Sequence, residues 1–275
     1  MPVRGLAGAG LPGAWGTVAI TLAAAVILAP VAAVRWRRLA RAQGVALLSV
    51  GLGGAAFALY SVGFVYGRVA IIILLYFLTP VWSTLIGRYV MGWDTPRSRV
   101  LAIAVGLAGL VVMLGAHGGW PVPQGAGEWR ALIAGILWSV GTTGMRATSD
   151  IGLLEAAFVF ASGALVMALV LAPFLEPWPA SMSAGGVGRA AFLAVATGVL
   201  WWIASIAGLM WATVRLDPAR VGILLIAEVL AGAISAAVMV NEHLSAVEIA
   251  GGCLVLLAGV LEVWPMRRRR PVPHR

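Results

Sequence analysis

The sequence predicts an all-α polytopic membrane protein, and three observations carry that prediction. Of its 275 residues, 61% are hydrophobic and only 11% are charged, where soluble domains run at roughly 45–50% and about 25%. The apolar residues fall in runs close to the ~20 residues that a helix needs to cross a bilayer. Those runs are also too long, and too free of polar alternation, to be strands of a closed membrane barrel.

Taken in order, the runs lie at about 14–34, 44–66, 69–90, 100–116, 130–146, 151–175, 190–213, 219–240 and 246–264. Nine spans are therefore expected, each closed by arginine, proline or glycine-rich punctuation. Two helix starts carry signatures of their own. Asp217-Pro218 reads as an N-cap followed by proline in the first turn, and Ser245-Ala-Val-Glu248 reads as a capping box. Cys253 is the single cysteine and lies in the last run, which leaves no intrachain disulfide or cysteine-based metal site. The three histidines, His117, His243 and His274, sit outside the runs or at their edges. No metal or other cofactor is expected.

The arginines orient the chain. With the C-terminus placed in the cytoplasm, the inner side holds Arg35, Arg37, Arg38, Arg41, Arg88, Arg97, Arg99, Arg146, Arg215, Arg220, Arg267 to Arg270 and Arg275. Only Arg4, Arg68, Arg130 and Arg189 fall outside. Such a bias follows the positive-inside rule and makes the net charge of +9 mainly a topology signal. The tail 266–275 is expected to meet anionic lipid, and no nucleic-acid partner is inferred from it. This orientation puts the N-terminus outside. Residues 1–13, MPVRGLAGAGLPG, are too short for another crossing and lack the apolar core of a signal peptide.

An internal repeat is also visible. The stretch from Arg68 through Leu78-Thr-Pro-Val-Trp82 aligns with that from Asp217 through Ala227-Glu-Val229, at an offset of about 149 residues. Each then runs through a short polar turn, Gly92-Trp-Asp-Thr-Pro96 or Asn241-Glu-His-Leu-Ser245, into a glycine-rich run, Leu101 to Gly115 or Ile249 to Val260. The offset sets Thr79 opposite Glu228. A unit of five spans would insert its two copies in opposite directions, an arrangement common in secondary transporters, whose sites lie near the midplane between the copies. The loop charges agree: four arginines lie between Arg35 and Arg41, and one lies between Glu176 and Arg189.

On these residues the sequence resembles the EamA family of the drug/metabolite transporter superfamily. That repeat runs through an apolar helix, a proline-bearing helix, a Gly-Glu-like turn and a glycine-rich final helix. Here Leu78-Thr-Pro-Val-Trp82 and Gly92-Trp-Asp94 match the first copy; Ala227-Glu-Val229, Asn241-Glu242, Gly251-Gly252 and Ala258-Gly-Val260 match the second. Val229 departs from it, standing where the family has proline. The resemblance covers nearly the whole chain but rests on loose motifs shared across many substrates. It implies two inverted repeats: residues 1–117 with four spans, an outer linker at 118–126, residues 127–265 with five spans, and a basic tail at 266–275. It also implies a ten-helix plan whose first helix is missing here, with a true nine-helix protein as the alternative.

Glu228 is the one acid in the apolar stretch from Val221 to Val240. An ionisable residue inside a span is a functional candidate, suited to carrying a coupling proton or meeting an ammonium group; a neutral, hydrogen-bonded carboxyl is the plainer account. Tyr76, Thr79, Trp82 and Ser83 are candidates on the opposite copy, where Pro80 is expected to kink the helix and free a backbone carbonyl near residue 76. Trp138, Trp201, Trp202 and Trp211 suit an aromatic-lined cavity or interfacial anchoring equally well; Tyr60 and Ser139 are weaker candidates. Glu155, one turn inside its span near Arg146 and Asp150, and Glu262 read as solvated helix ends.

The resemblance implies a secondary active or facilitative transporter in a bacterial plasma membrane. Its cargo would be a small metabolite, such as an amino acid or drug-like amine, moved outward by alternating access. No phosphate-binding loop is present in the sequence, so gradients would drive it. The alternatives are a non-transporting partner subunit or truncated remnant, and an intramembrane enzyme. The last would need several acids, histidines or nucleophiles converging at one depth, and the runs hold essentially one acid.

Overall fold

Every regular element among the described residues is helical. The computed structural model describes residues 2–92, 97–117, 120, 122–148, 151–179, 184–205, 208, 231–232 and 244–263. The helices are α1 (Pro2–Gly8), α2 (Ala14–Val34), α3 (Trp36–Arg41), α4 (Gly44–Tyr66), α5 (Val69–Tyr76), α6 (Thr79–Tyr89), α7 (Arg97–Leu114), α8 (Ala126–Thr148), α9 (Leu153–Leu175), α10 (Ala184–Ala196) and α11 (Ala246–Val263). A 3₁₀ turn, Gly115–His117, extends α7, and a π-helical stretch, Thr197–Ile203, extends α10. Four stretches are long and apolar enough to cross a bilayer: Ala14–Val34, Gly44–Tyr66, Val69–Tyr89 and Leu153–Leu175. Shorter apolar helices lie at Val100–Leu114, Gly185–Leu200 and Ala246–Leu261.

Most expected runs therefore become helices within a few residues of their expected limits. Two differences matter. The run at 69–90 is two helices, α5 and α6, rather than one kinked helix. Residues 1–13, too short for a crossing, include α1, which buries Leu6 completely and lies against α10. The run at 219–240, with Glu228, lies almost wholly outside the described residues, as do the Asp217-Pro218 start and the basic tail.

The helices pack by size rather than by polarity. In α9 the alanines Ala157, Ala161, Ala164, Ala168 and Ala172 are buried, while Val166, Leu169, Val170 and Phe174 are exposed. Small residues turned inward let backbones approach and leave the larger apolar side chains for lipid. The closest approach is between α4 and α9, where a Cβ on Gly54 would run into the Phe160 carbonyl and stand 3.0 Å from the Ala164 nitrogen. On its other side α4 meets α8, and a Cβ on Gly127 would lie 2.6 Å from the Gly67 nitrogen. Helices α7 and α11 cross in the same manner at Gly109 and Gly251, each of whose added Cβ would stand 2.7 Å from the other's carbonyl oxygen.

Two large apolar clusters result, with a small third one of Val69, Ala70 and Ile73. One joins α2, α4, α9 and α10 around Trp15, Leu28, Val50 and Phe160; the other joins α5, α6, α7, α8 and α11 around Ile72, Leu75, Leu78, Met113 and Val255. The broken α5–α6 segment belongs to the second and lies along α8.

Candidate functional site

Pro80 has no N–H, so the carbonyl four residues earlier, on Tyr76, loses its helical donor. Here the helix stops there. Phe77 and Leu78 take ψ values of −4° and 0°, and α6 starts afresh with Pro80 in its first turn. Thr79 fills the gap, its Oγ1 donating to the Tyr76 carbonyl at 2.6 Å. Across the break, Ser139 of α8 is fully buried, and its Oγ lies 3.0 Å from the Thr79 carbonyl and 2.8 Å from its own helix at Gly135. Gly135 makes the approach feasible, because a Cβ there would stand 3.3 Å from the Tyr76 carbonyl oxygen. The Tyr76 carbonyl is therefore met by the Thr79 hydroxyl and faced by Gly135 of α8.

An aromatic string runs from this break. Tyr76 stacks on Tyr60 at 4.2 Å between ring centroids, and Tyr60 meets Phe64 edge-on at 4.6 Å. In the other direction Tyr76 approaches Trp138 at 6.3 Å, and Trp138 meets Phe160 edge-on at 6.0 Å. Four helices, α4, α5, α8 and α9, contribute these rings. Electron-rich faces of this kind attract cations and apolar groups alike.

Of the sequence candidates, the fold gathers Tyr76, Thr79 and Trp138 around the break, together with the weaker pair Tyr60 and Ser139. Pro80 begins the second half of the interrupted helix. Trp82 turns toward the cluster around Leu78 and Val81, with its Nε1 shielded and without a hydrogen bond among the described residues. Ser83 is half-buried on the same turn. Trp201 lies in the π-helical stretch, but its side chain, with those of Trp202 and Trp211, is outside the described residues, and so is Glu228. Phe64 and Phe160 were not singled out from sequence. A phenylalanine in an apolar run carries no signal that separates a site from a lipid contact.

The acids give the clearest corrections. Glu155 is not a solvated helix end: it is 2% exposed and pairs with Arg35, 3.3 Å away at the end of α2; Asp150 and the Arg146 side chain lie outside the described residues. Standing three residues past the Gly152 N-cap, it also faces the positive end of α9. Glu248 does form the expected capping box, accepting from the Ser245 N–H at 2.7 Å while its own N–H donates to Ser245 Oγ at 3.2 Å. It does more, because both its oxygens also accept from Arg68, Oε1 from Nη1 and Oε2 from Nη2 at 3.2 Å.

A third polar group, unforeseen in the sequence, joins the ends of α2, α4, α8 and α9. Tyr66 donates to Glu176 Oε1 at 3.2 Å, and Trp15 Nε1 donates to the Glu176 carbonyl at 3.1 Å. Arg130 lies over the Tyr66 ring, 4.8 Å from its centroid. Residues 15, 66, 130 and 176 thus meet at one end of the bundle, whereas Arg35 and Glu155 join the opposite ends of α2 and α9.

No protein-family model and no curated protein matches the chain. Solved structures do match. One crystal structure, described only as that of a protein, aligns over 94% of this chain and 90% of its own, with a TM-score of 0.54 at 19% identity. At that identity the likeness is one of fold.

Proposed function

We propose that the chain is a secondary transporter of the EamA type, working by alternating access on a small metabolite such as an amino acid or drug-like amine, and acting as an exporter. The observation that carries this reading is the broken helix. Irregular backbone at membrane depth is tolerated where it is buried in protein or lines a cavity, and interrupted helices are where such transporters hold substrate. The break at Phe77-Leu78 sets Tyr76, whose carbonyl accepts from Thr79 Oγ1 rather than from a backbone N–H four residues on, beside Tyr60 and Trp138. A carbonyl between aromatic faces suits an ammonium group.

Packing between the copies supports the same reading. Under the offset of about 149 residues, the contact of Gly106 with Ala258 and that of Gly109 with Val255 exchange with one another. An inverted pair of helices crossing on a shared two-fold axis makes such reciprocal contacts. In this reading Glu228 supplies the titrating carboxyl, and the arginine-rich ends face the cytoplasm of a bacterial inner membrane.

Flux into proteoliposomes tests the proposal, using a panel of aromatic and apolar amino acids and organic amines under an imposed pH gradient. The expected outcome is gradient-driven flux of at least one of them, reduced by an order of magnitude or more in Glu228→Gln. No flux of any member by folded, reconstituted protein would remove the transporter reading. Unchanged flux and pH dependence in Glu228→Gln would remove only the coupling role.

A further inference from the structure

We propose that Arg68, Glu248 and Leu244 form a latch that closes one end of the aromatic path and must release during the cycle. The inference rests on the transporter reading and goes beyond it by naming the closing element.

The latch couples two distant segments. Arg68 is the residue before α5 and Glu248 lies in the first turn of α11, 180 residues apart in sequence. The pair therefore forms only when the start of the last helix rests against the start of the interrupted one. Beside it, Leu244 packs on Val69, Ala70 and Ile73, the same small cluster that Tyr60 and Phe64 touch. Tyr60 is the ring stacked on Tyr76 at the break. Leu244, just before α11, thus lies over the end of the string that leads to Tyr76 and Trp138, and the ion pair holds it there.

The energetics suit a part that lets go. Glu248 is 3% exposed and Arg68 34% exposed, so the acid sheds much hydration when the pair forms and regains it on opening. The attraction in such a pair is largely offset by desolvation. It fixes geometry strongly while adding little net stability, whereas an apolar plug of the same extent would be costly to expose. The capping box keeps Ser245 and Glu248 together, so release at Arg68 moves the turn as a unit.

The sequence points the same way. The repeat offset carries Arg68 to Asp217 and Glu248 to Arg99, so the exchanged pair is again one acid and one arginine with the signs swapped. Asp217 lies outside the described residues.

The test uses the full chain purified in detergent, where both faces meet solvent. Cys253, which is exposed, is first replaced by serine, and Ile73→Cys serves as the reporter, 8% exposed in the small cluster that Leu244 packs on. The measurement is its rate of reaction with a water-soluble maleimide. Glu248→Gln and Arg68→Gln are each expected to raise that rate about tenfold or more, as a shift toward an open population. The exchange Arg68→Glu/Glu248→Arg is expected to bring the rate back to within about threefold of the parent. Glutamine still serves in a capping box; should Glu248→Gln fail to fold, Arg68→Gln reads the pair with the cap untouched. A lower melting temperature with unchanged labelling in folded single variants would make the pair a static staple and overturn the proposal. Labelling needs no substrate, so wild-type protein without flux would defeat the transporter reading and leave the latch standing.

Discussion

The seam between α4 and α9 and the break between α5 and α6 solve opposite problems in one apolar medium. At the seam, Gly54 lies against the Phe160 carbonyl and a column of alanines lines α9, so the two backbones touch with no side chain between them. The serines nearby, Ser61 of α4 and Ser162 of α9, donate within their own helices, to the Phe57 and Phe158 carbonyls. At the break, a carbonyl is released and must be met from outside the helical ladder, by Thr79, while Ser139 of α8 donates to the Thr79 carbonyl. The first region is held by van der Waals contact, which is short-ranged and unforgiving. The second is held by individual hydrogen bonds that can be exchanged for a ligand's. The transport cycle proposed above would need both: a frame that does not yield and a small polar locus that does.

Substitutions can break that contrast in graded steps. The largest effect is expected at Gly54→Leu, whose side chain has no room beside Phe160 and Ala164. A loss of about 3 kcal/mol or more is expected, read as a sharp fall in melting temperature in detergent or as failure to accumulate folded protein. Normal stability of this variant would mean that α4 and α9 do not meet as closely as they do here. Next comes Thr79→Val, which keeps the branched shape and removes the hydroxyl. The Tyr76 carbonyl then loses its donor, at about 1–3 kcal/mol, and Thr79→Ser should recover most of it. If valine and serine melt alike, the hydroxyl does not sustain the break. The smallest effect on stability is expected at Trp82→Phe. The indole N–H is shielded and without a partner among the described residues, so losing it should change stability by under about 1 kcal/mol. A marked fall in substrate affinity with little change in melting would assign that N–H to the cargo.

Much of the broken region was legible in the chain. Pro80 announced that a carbonyl near residue 76 would lose its donor, and Tyr76 and Thr79 were the residues to watch. The extent of the break was not legible. Pro30 and Pro173 also sit in apolar runs, and α2 and α9 continue through them. Whether a proline kinks or ends a helix depends on what satisfies the orphaned carbonyl, and that depends on neighbours such as Gly135 and Ser139 of another helix. Glu155 was misread for a related reason. Its position one turn inside the span, near Arg146 and Asp150, suggested a solvated helix end, while the partner that buries it, Arg35, lies 120 residues away. Glu248 shows the reverse case: a local motif, the capping box, was read correctly because all its atoms lie within four residues.

The sequence by itself determined that the described chain is helical and where most helices start and stop. Those properties depend on run length and on residue polarity, which can be summed along one dimension. It did not determine which side of each helix faces inward. In a soluble helix the polar face answers that question, but α9 is apolar all round: Ala161 and Val166 are both acceptable to lipid, yet one is buried and the other exposed. Only the tertiary structure decided between them, because in a bilayer the choice rests on how closely two surfaces fit, and fit belongs to pairs of helices rather than to either alone.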